Sequence, residues 1–271
     1  MNELALFAGA GGGILGGHLL GWRTVCAVER DAYAAQVLAQ RQNDGALPTF
    51  PIWSDVCSFD GKPWRGLVDV VSGGFPCQDI SAAGNGIGID GARSGLWREM
   101  ARIIGEIQPG LVLVENSPML VGRGLAMVLG DLAEMGYDAK WCCVSAADCG
   151  APHIRDRIWI LAYPNSSRES QSARQQQNSR VGPEQRSENV AYAHRNELFG
   201  RSSALQVGRK RCTKEAQDNG NPGGNEWPAE SRVGRMANGV ANRVDRLKAL
   251  GNGQVPRVAA TAFAILQREQ E

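Results

Sequence analysis

The residue best suited to chemistry in this sequence is Cys77, which follows a short apolar run and a turn of glycine and proline. Residues 68–81 read VDVVSGGFPCQDIS. A β-branched run that stops at Gly73, Gly74 and Pro76 is typical of a buried strand entering a tight loop. The thiol would then lie at the carboxyl end of a strand, where open α/β sheets bind ligands. On spacing alone, a small buried cysteine without a chemical role is an equally good interpretation.

A glycine-rich run near the amino terminus has the spacing of a nucleoside-binding unit. Leu4–Phe7 is predicted to be a strand, and residues 8–13 read AGAGGG. Thr24–Val28 is predicted to be a second strand, which ends at Glu29. Glycines let the backbone approach a ligand, and the carboxylate can accept hydrogen bonds from both ribose hydroxyls. The run lacks the P-loop lysine and the ordered GxGxxG pattern, so a cofactor without phosphate groups suits it better. An ordinary turn between strand and helix is the alternative.

Two more acidic residues lie close to the ends of predicted strands. Asp55 follows the strand Phe50–Trp53, and Glu115 follows the strand Leu111–Val114. At these positions Asp55 could contact an adenine amino group, and Glu115 could act as an acid if burial raises its pKa. Each of them could instead cap a helix.

Two arginines complete the set of candidate site residues. The segment Ile154–Ala162 is predicted to be a strand, and its two-residue period places Arg155 and Arg157 on one face. A salt-bridged strand edge is the alternative interpretation of this pair.

Composition excludes several classes of protein. The net charge of +1 over 271 residues predicts that any nucleic-acid surface is a local patch. The seven cysteines are odd in number and form no CxxC pair, which argues against a disulfide framework and a standard zinc site and favours a reducing compartment. The glycine-rich segment Leu4–Gly21 is not expected to be a signal peptide or a membrane helix.

The elements that position these residues form a repeating pattern. Seven predicted strands alternate with helices through residue 162, which predicts a doubly wound sheet. Residues 82–95 contain five glycines and little apolar content, which suggests a mobile active-site loop.

Residues 163–235 are polar and could be a flexible insertion or a basic substrate-contacting region. Structured character then resumes, with predicted helices at 240–250 and 257–267. The predicted division is therefore 1–162, 163–235 and 236–271.

Taken in order, these motifs resemble the DNA cytosine-5 methyltransferases over about 200 of the 271 residues. Residues 7–13 (FAGAGGG) look like the cofactor loop, and residues 73–78 (GGFPCQ) look like the nucleophile motif. Residues 93–96 (RSGL), 115–116 (EN), 153–157 (HIRDR) and 250–256 (LGNGQVP) are similar to later blocks of the family. His153, Ser117 and Gln254 depart from the common pattern, and we expect the departures at Ser117 and Gln254 to be tolerated.

The resemblance implies a Rossmann-like class I methyltransferase fold. It has a doubly wound mixed seven-stranded sheet, and a small polar target-recognition region precedes the C-terminal helices. The implied cofactor is S-adenosylmethionine, and no metal is implied. The implied cofactor-binding residues are Phe7, Ala8, Gly9, Gly11, Glu29, Asp55, Val56, Pro76, Leu96 and Asn252. The implied catalytic residues are Cys77, Glu115, Arg155 and Arg157, and the implied substrate-binding residues are Gln78, Ser81, Asn116, Arg209 and Arg211.

The implied chemistry is methyl transfer to C5 of cytosine. A thiolate at Cys77 would add to C6, while Glu115 would hydrogen-bond or protonate N3. Arg157 would hold the cytosine O2, and Arg155 could orient Glu115 or a phosphate. A target base inside a duplex would have to be flipped out.

The resemblance also implies duplex DNA as the partner, a monomeric state, a cytoplasmic location in a bacterium or in the host of a phage, and a cognate restriction endonuclease as a further possible partner. Short family members carried by phages and prophages look similar. Two alternatives stay open. One is an RNA cytosine-5 methyltransferase, although the tRNA-acting branch typically has a proline where this chain has Phe75. The other is a DNA-binding or cofactor-binding member that has lost catalysis.

Overall fold

A computed structural model describes residues 1–76, 95–165 and 243–268. Strands and helices alternate through most of the first two ranges. The strands are β1 (Asn2–Leu6), β2 (Arg23–Val28), β3 (Ile52–Trp53), β4 (Val70–Gly73), β5 (Leu111–Asn116), β6 (Tyr137–Val144) and β7 (Arg157–Pro164). The helices are α1 (Gly12–Leu19), α2 (Ala32–Asn43), α3 (Leu96–Ile107), α4 (Leu120–Arg123), α5 (Leu125–Glu134), α6 (Arg243–Asn252) and α7 (Pro256–Arg268).

The seven strands form one sheet in the order β3-β2-β1-β4-β5-β7-β6. The first five strands in this order are parallel to one another, whereas β7 is antiparallel to both β5 and β6. The order reverses between β1 and β4, so their carboxyl ends flank the position where such sheets bind ligands. The predicted doubly wound, mixed, seven-stranded sheet is confirmed.

Helices cover both faces of the sheet because side chains of neighbouring strand residues point to opposite faces. Val71 belongs to an apolar cluster with residues of α3 and α5, whereas Val70 belongs to a second cluster with residues of α7. Helix α3 contributes its whole apolar stripe to the first cluster. That stripe has helical spacing and consists of Trp97, Met100, Ile103, Ile104 and Ile107, all fully buried.

The C-terminal helix α7 packs directly on α1. A Cβ at Gly16 would lie 2.7 Å from the Cβ of Ala259, so the absence of a side chain there allows the close approach. The rings of Trp22 and Phe263 meet edge to face at 4.9 Å. Helix α7 therefore packs against the amino-terminal part of the fold, although the two are distant in sequence.

One predicted strand has the wrong boundary. The segment Ile154–Ala162 was expected to be extended throughout, but β7 begins only at Arg157. Ile154 is 81% exposed and Arg155 precedes the strand, so the two arginines do not share a strand face. Similarly, α6 extends to Asn252, two residues beyond the predicted end of this helix at residue 250, and the short helix α4 was not predicted.

Candidate active site

A cavity of about 520 Å³ opens at the carboxyl ends of β1, β2, β4 and β5. Its volume lies within the range typical of sites for cofactors and small molecules. Most of the predicted cofactor residues line it, namely Phe7, Gly9, Glu29, Asp55, Val56, Pro76, Leu96 and Asn252. Ala8 lines a smaller cavity beside it, together with Phe7 and Gly9. Gly11 does not line the large cavity. It precedes α1 with a φ of 88° in the left-handed region.

The glycine-rich loop is tied to Glu29. The backbone N–H of Gly9 donates to Oε2 of Glu29 at 2.6 Å, and the N–H of Asp31 donates to Oε1 at 2.7 Å. Each oxygen has a second lone pair available for a ligand hydroxyl. Phe7 has a φ of 52°, a conformation that bulky side chains rarely adopt and that concentrates at functional sites.

Asp55 has the capping role that the sequence left open. Its carboxylate accepts from the N–H of Cys57 at 3.0 Å and caps the short helix Val56–Ser58. This hydrogen bond lowers the pKa of Asp55. Asp55 also lines the cavity, so capping and ligand contact are compatible at this residue.

Glu115 ends β5 and lies buried at the floor of the same cavity, with 8% of its surface exposed. Its Oε1 lies 2.7 Å from Nε of Arg157. Burial raises the pKa of the Glu115 carboxyl, against the opposing effects of Arg157, Arg155 and a hydrogen bond from Gln254. The site therefore holds a carboxyl that retains its proton at higher pH than an exposed glutamate does.

The two arginines predicted to be catalytic contact different parts of the protein. Arg157, at the start of β7, contacts Glu115 directly and lines the cavity. Arg155 instead donates from Nη2 to the carbonyls of Gly251 and Gly253, at 2.7 and 2.5 Å. Arg155 therefore holds the end of α6 and the turn after it against the segment that precedes β7.

Asn116 connects β5 to the loop that follows β4. Its Nδ2 donates to the carbonyl of Phe75 at 3.1 Å, and its Oδ1 accepts from the N–H of Ser117 at 2.8 Å. Phe75 is buried, with its ring 5.4 Å from that of Trp97. Pro76 is therefore held at the cavity that Glu115 also lines.

Several predicted residues lie outside the described part of the chain. These are the proposed nucleophile and the substrate-binding candidates other than Asn116, namely Cys77, Gln78, Ser81, Arg209 and Arg211. The loop predicted at residues 82–95 also falls outside it, except for Gly95.

The structure adds two residues that the sequence did not single out for a role. Lys248 of α6 lines the cavity, and its Nζ lies 2.5 Å from Oδ2 of Asp31. Asp31 also caps the amino terminus of α2. Gln254 hydrogen-bonds Glu115. The sequence signal for Lys248 was its position one helical turn before Asn252, and the signal for Gln254 was its departure from the family pattern.

Among the described residues, no helix is both long enough and apolar enough to cross a membrane.

Comparison with known proteins identifies relatives over most of the chain. The family model for C-5 cytosine-specific DNA methylase matches residues 1–234. The type II methyltransferase M.Eco47II of Escherichia coli is 35% identical over 60% of this chain and 39% of its own length. The type II methyltransferase M1.ScrFI of Lactococcus lactis is 32% identical over 79% of this chain and 54% of its own length. This chain thus spans about two fifths to one half of these relatives.

Solved structures with the same fold include two methyltransferases. A protein described as a DNA modification methyltransferase encoded within an E. coli prophage aligns with a TM-score of 0.51 and 26% identity, over 62% of this chain and 47% of that one. Spodoptera frugiperda DNMT2 aligns with a TM-score of 0.50 and 19% identity, over 61% of this chain and 50% of that one.

Proposed function

This chain belongs to the C-5 cytosine-specific DNA methylases, and we propose that it transfers a methyl group from S-adenosylmethionine to C5 of a flipped-out cytosine in duplex DNA. The observation that carries the proposal is one cavity that brings together Glu29, Pro76 and the buried carboxyl of Glu115. The cavity residues proposed to bind a nucleoside thus lie beside an acid of raised pKa, and Cys77 follows Pro76 directly in sequence.

The residues at the cavity fit S-adenosylmethionine. Glu29 has carboxylate lone pairs for the ribose hydroxyls, and Asp55 would accept from the adenine amino group. Apolar side chains of Phe7, Val56 and Leu96 would contact the adenosine moiety. When bound, the cofactor supplies an electrophilic methyl group on a sulfonium.

Cytosine needs activation because its C5 is a weak nucleophile. We propose that the Cys77 thiolate forms a bond to C6, which makes C5 carbanion-like. Glu115, in its protonated form, donates a hydrogen bond to N3 and withdraws electron density from the ring. Arg157 holds the Glu115 carboxyl through Oε1, and we propose that it also donates a hydrogen bond to the cytosine O2. After methyl transfer, loss of the C5 proton lets the thiolate leave.

The test is expression in bacteria that lack cytosine methylation, followed by mass spectrometry of nucleosides from digested DNA. The wild-type protein is expected to introduce 5-methylcytosine. Cys77→Ser is expected to abolish it, and Cys57→Ser is a matched control because Cys57 is an exposed thiol outside the cavity lining. Equal signal from wild type and Cys77→Ser would refute the assigned nucleophile.

Two other results would replace the proposal. Methylation of tRNA without methylation of DNA would identify an RNA enzyme. Calorimetry that shows S-adenosylmethionine binding, together with no methylated cytosine in either nucleic acid, would identify a member without catalysis.

The cofactor assignment is tested separately. Glu29→Gln is expected to weaken S-adenosylmethionine binding by about tenfold because a neutral amide accepts ribose hydrogen bonds less well than a carboxylate. The exposed Glu134→Gln is the matched control.

We also propose that the protein is a monomer, which light scattering would check, and that an endonuclease with the same recognition site accompanies it.

A further inference from the structure

Gln254 lies between two glycines, Gly13 in the first turn of α1 and Gly74 in the loop after β4. A Cβ at Gly13, at the start of α1, would overlap the side-chain oxygen of Gln254. A Cβ at Gly74, in the loop after β4, would lie 3.1 Å from Nε2 of Gln254 and 2.5 Å from Oε2 of Glu115. The amide of Gln254 and the carboxyl of Glu115 therefore converge over the Cα of Gly74.

The backbone of Gln254 is held from two sides. Arg155 donates to the carbonyl of Gly253, directly before it, and to that of Gly251. On the other side, a Cβ at Gly12 would overlap the backbone carbonyl of Gln254. The side chain consequently leaves a fixed main chain and reaches into the space that both glycines leave open.

The two oxygens of Glu115 have different neighbours. Oε1 is paired with Arg157, while Oε2 faces Gly74 on the side where Nε2 of Gln254 lies. A hydrogen bond joins the Gln254 side chain to the carboxyl. With one donor for each oxygen, the plane of the carboxyl is set by residues of two distant segments, β7 and the turn between α6 and α7.

We infer that Gln254 is a positioning residue, which donates from Nε2 to Oε2 of Glu115 and orients this carboxyl toward the base. The C-terminal segment, which also contributes Lys248 and Asn252 to the cavity lining, thereby helps to orient an acid that β5 supplies. This inference rests on the proposed function for the role of Glu115, but the contact itself can be tested without any activity.

The experiment compares wild type with Gln254→Met, which keeps the side-chain length and removes the donor. Protein labelled with ¹³C at the glutamate carboxyl is titrated by NMR, and the Glu115→Gln variant assigns the signal. The pKa of Glu115 is expected to move upward in Gln254→Met because the ionised form loses a hydrogen bond. Gln254→Glu should move it further upward, since it adds a like charge. Gln36→Met, on the exposed face of α2, should leave it unchanged.

In methylation assays, Gln254→Met is expected to lower the maximal kcat/KM about tenfold through poorer orientation of the acid. The alkaline limb of the pH profile should move to higher pH, because activity requires the protonated carboxyl. An unchanged Glu115 titration in both Gln254 variants, with folding confirmed by circular dichroism, would overturn the inference. If the wild type methylates nothing, the proposed function fails, but the titration still decides the role of Gln254.

Discussion

The buried carboxyl of Glu3 makes the strongest prediction about stability. Glu3 lies on β1 with no exposed surface. Its Oε2 accepts from Oγ1 of Thr24 at 2.8 Å, and its Oε1 accepts from Oγ of Ser72 at 2.6 Å. Burial raises its pKa from 4.5 to about 6, although the two hydroxyl donors oppose the shift. Ionisation of Glu3 is therefore costly in the folded protein.

The sign of the effect follows from proton binding. Between pH 4.5 and pH 6 the folded chain retains a proton that the unfolded chain has lost, so the free energy of unfolding falls as pH rises. A shift of about 1.5 pH units corresponds to about 2 kcal/mol, which is lost in full above the folded pKa. Glu3→Gln removes the charge and keeps the shape. Its amide retains one acceptor and gains donors that the rotatable hydroxyls can accept from.

The assay is urea unfolding of wild type and Glu3→Gln between pH 4 and pH 8. The wild type should lose about 2 kcal/mol more stability over this range than the variant. All other titrating groups contribute equally to both proteins and cancel in the difference. The exposed Glu134→Gln should follow the wild type. A pH dependence identical in wild type and Glu3→Gln would refute the reasoning, whether or not the variant is destabilised by a constant amount at every pH.

Three glycine positions give further predictions. Gly16→Ala should destabilise the protein by about 1–3 kcal/mol, because its Cβ would collide with Ala259 and push α7 from α1. Gly130→Ala, in α5 with open space around it, should stabilise by about 0.5–1 kcal/mol through helix propensity, so opposite shifts in the urea midpoint check both. Gly74→Ala should lower kcat at least tenfold and change S-adenosylmethionine affinity less, because its Cβ would lie 2.5 Å from Oε2 of Glu115. Equal losses in kcat and in cofactor affinity would contradict this assignment.

Local sequence patterns were sufficient to predict seven strands that alternate with helices. In α3, for example, five apolar residues recur at helical spacing in the sequence, and all of them are buried. The acids Glu29 and Glu115 were found because they stand at the ends of β-branched runs, and parallel strands bring such ends to one edge.

The predicted start of β7 was wrong because the alternation of residue types in a sequence does not reveal where pairing between strands begins. Arg157 is the first residue that pairs with β6, opposite Val144. Before it, Arg155 turns toward the carbonyls of Gly251 and Gly253. Those acceptors lie nearly one hundred positions further along the chain, so no local pattern could assign them to Arg155.

The sequence by itself determined the alternation of strands and helices, the residue types at the strand ends and the family, because all of these depend on local spacing and motif order. Only the tertiary structure decided which groups meet Glu115. Arg157 is paired with it through the antiparallel register of β5 and β7, and Gln254 reaches it because Gly13 and Gly74 leave room. Such contacts depend on the packing of distant segments, which residue spacing does not encode.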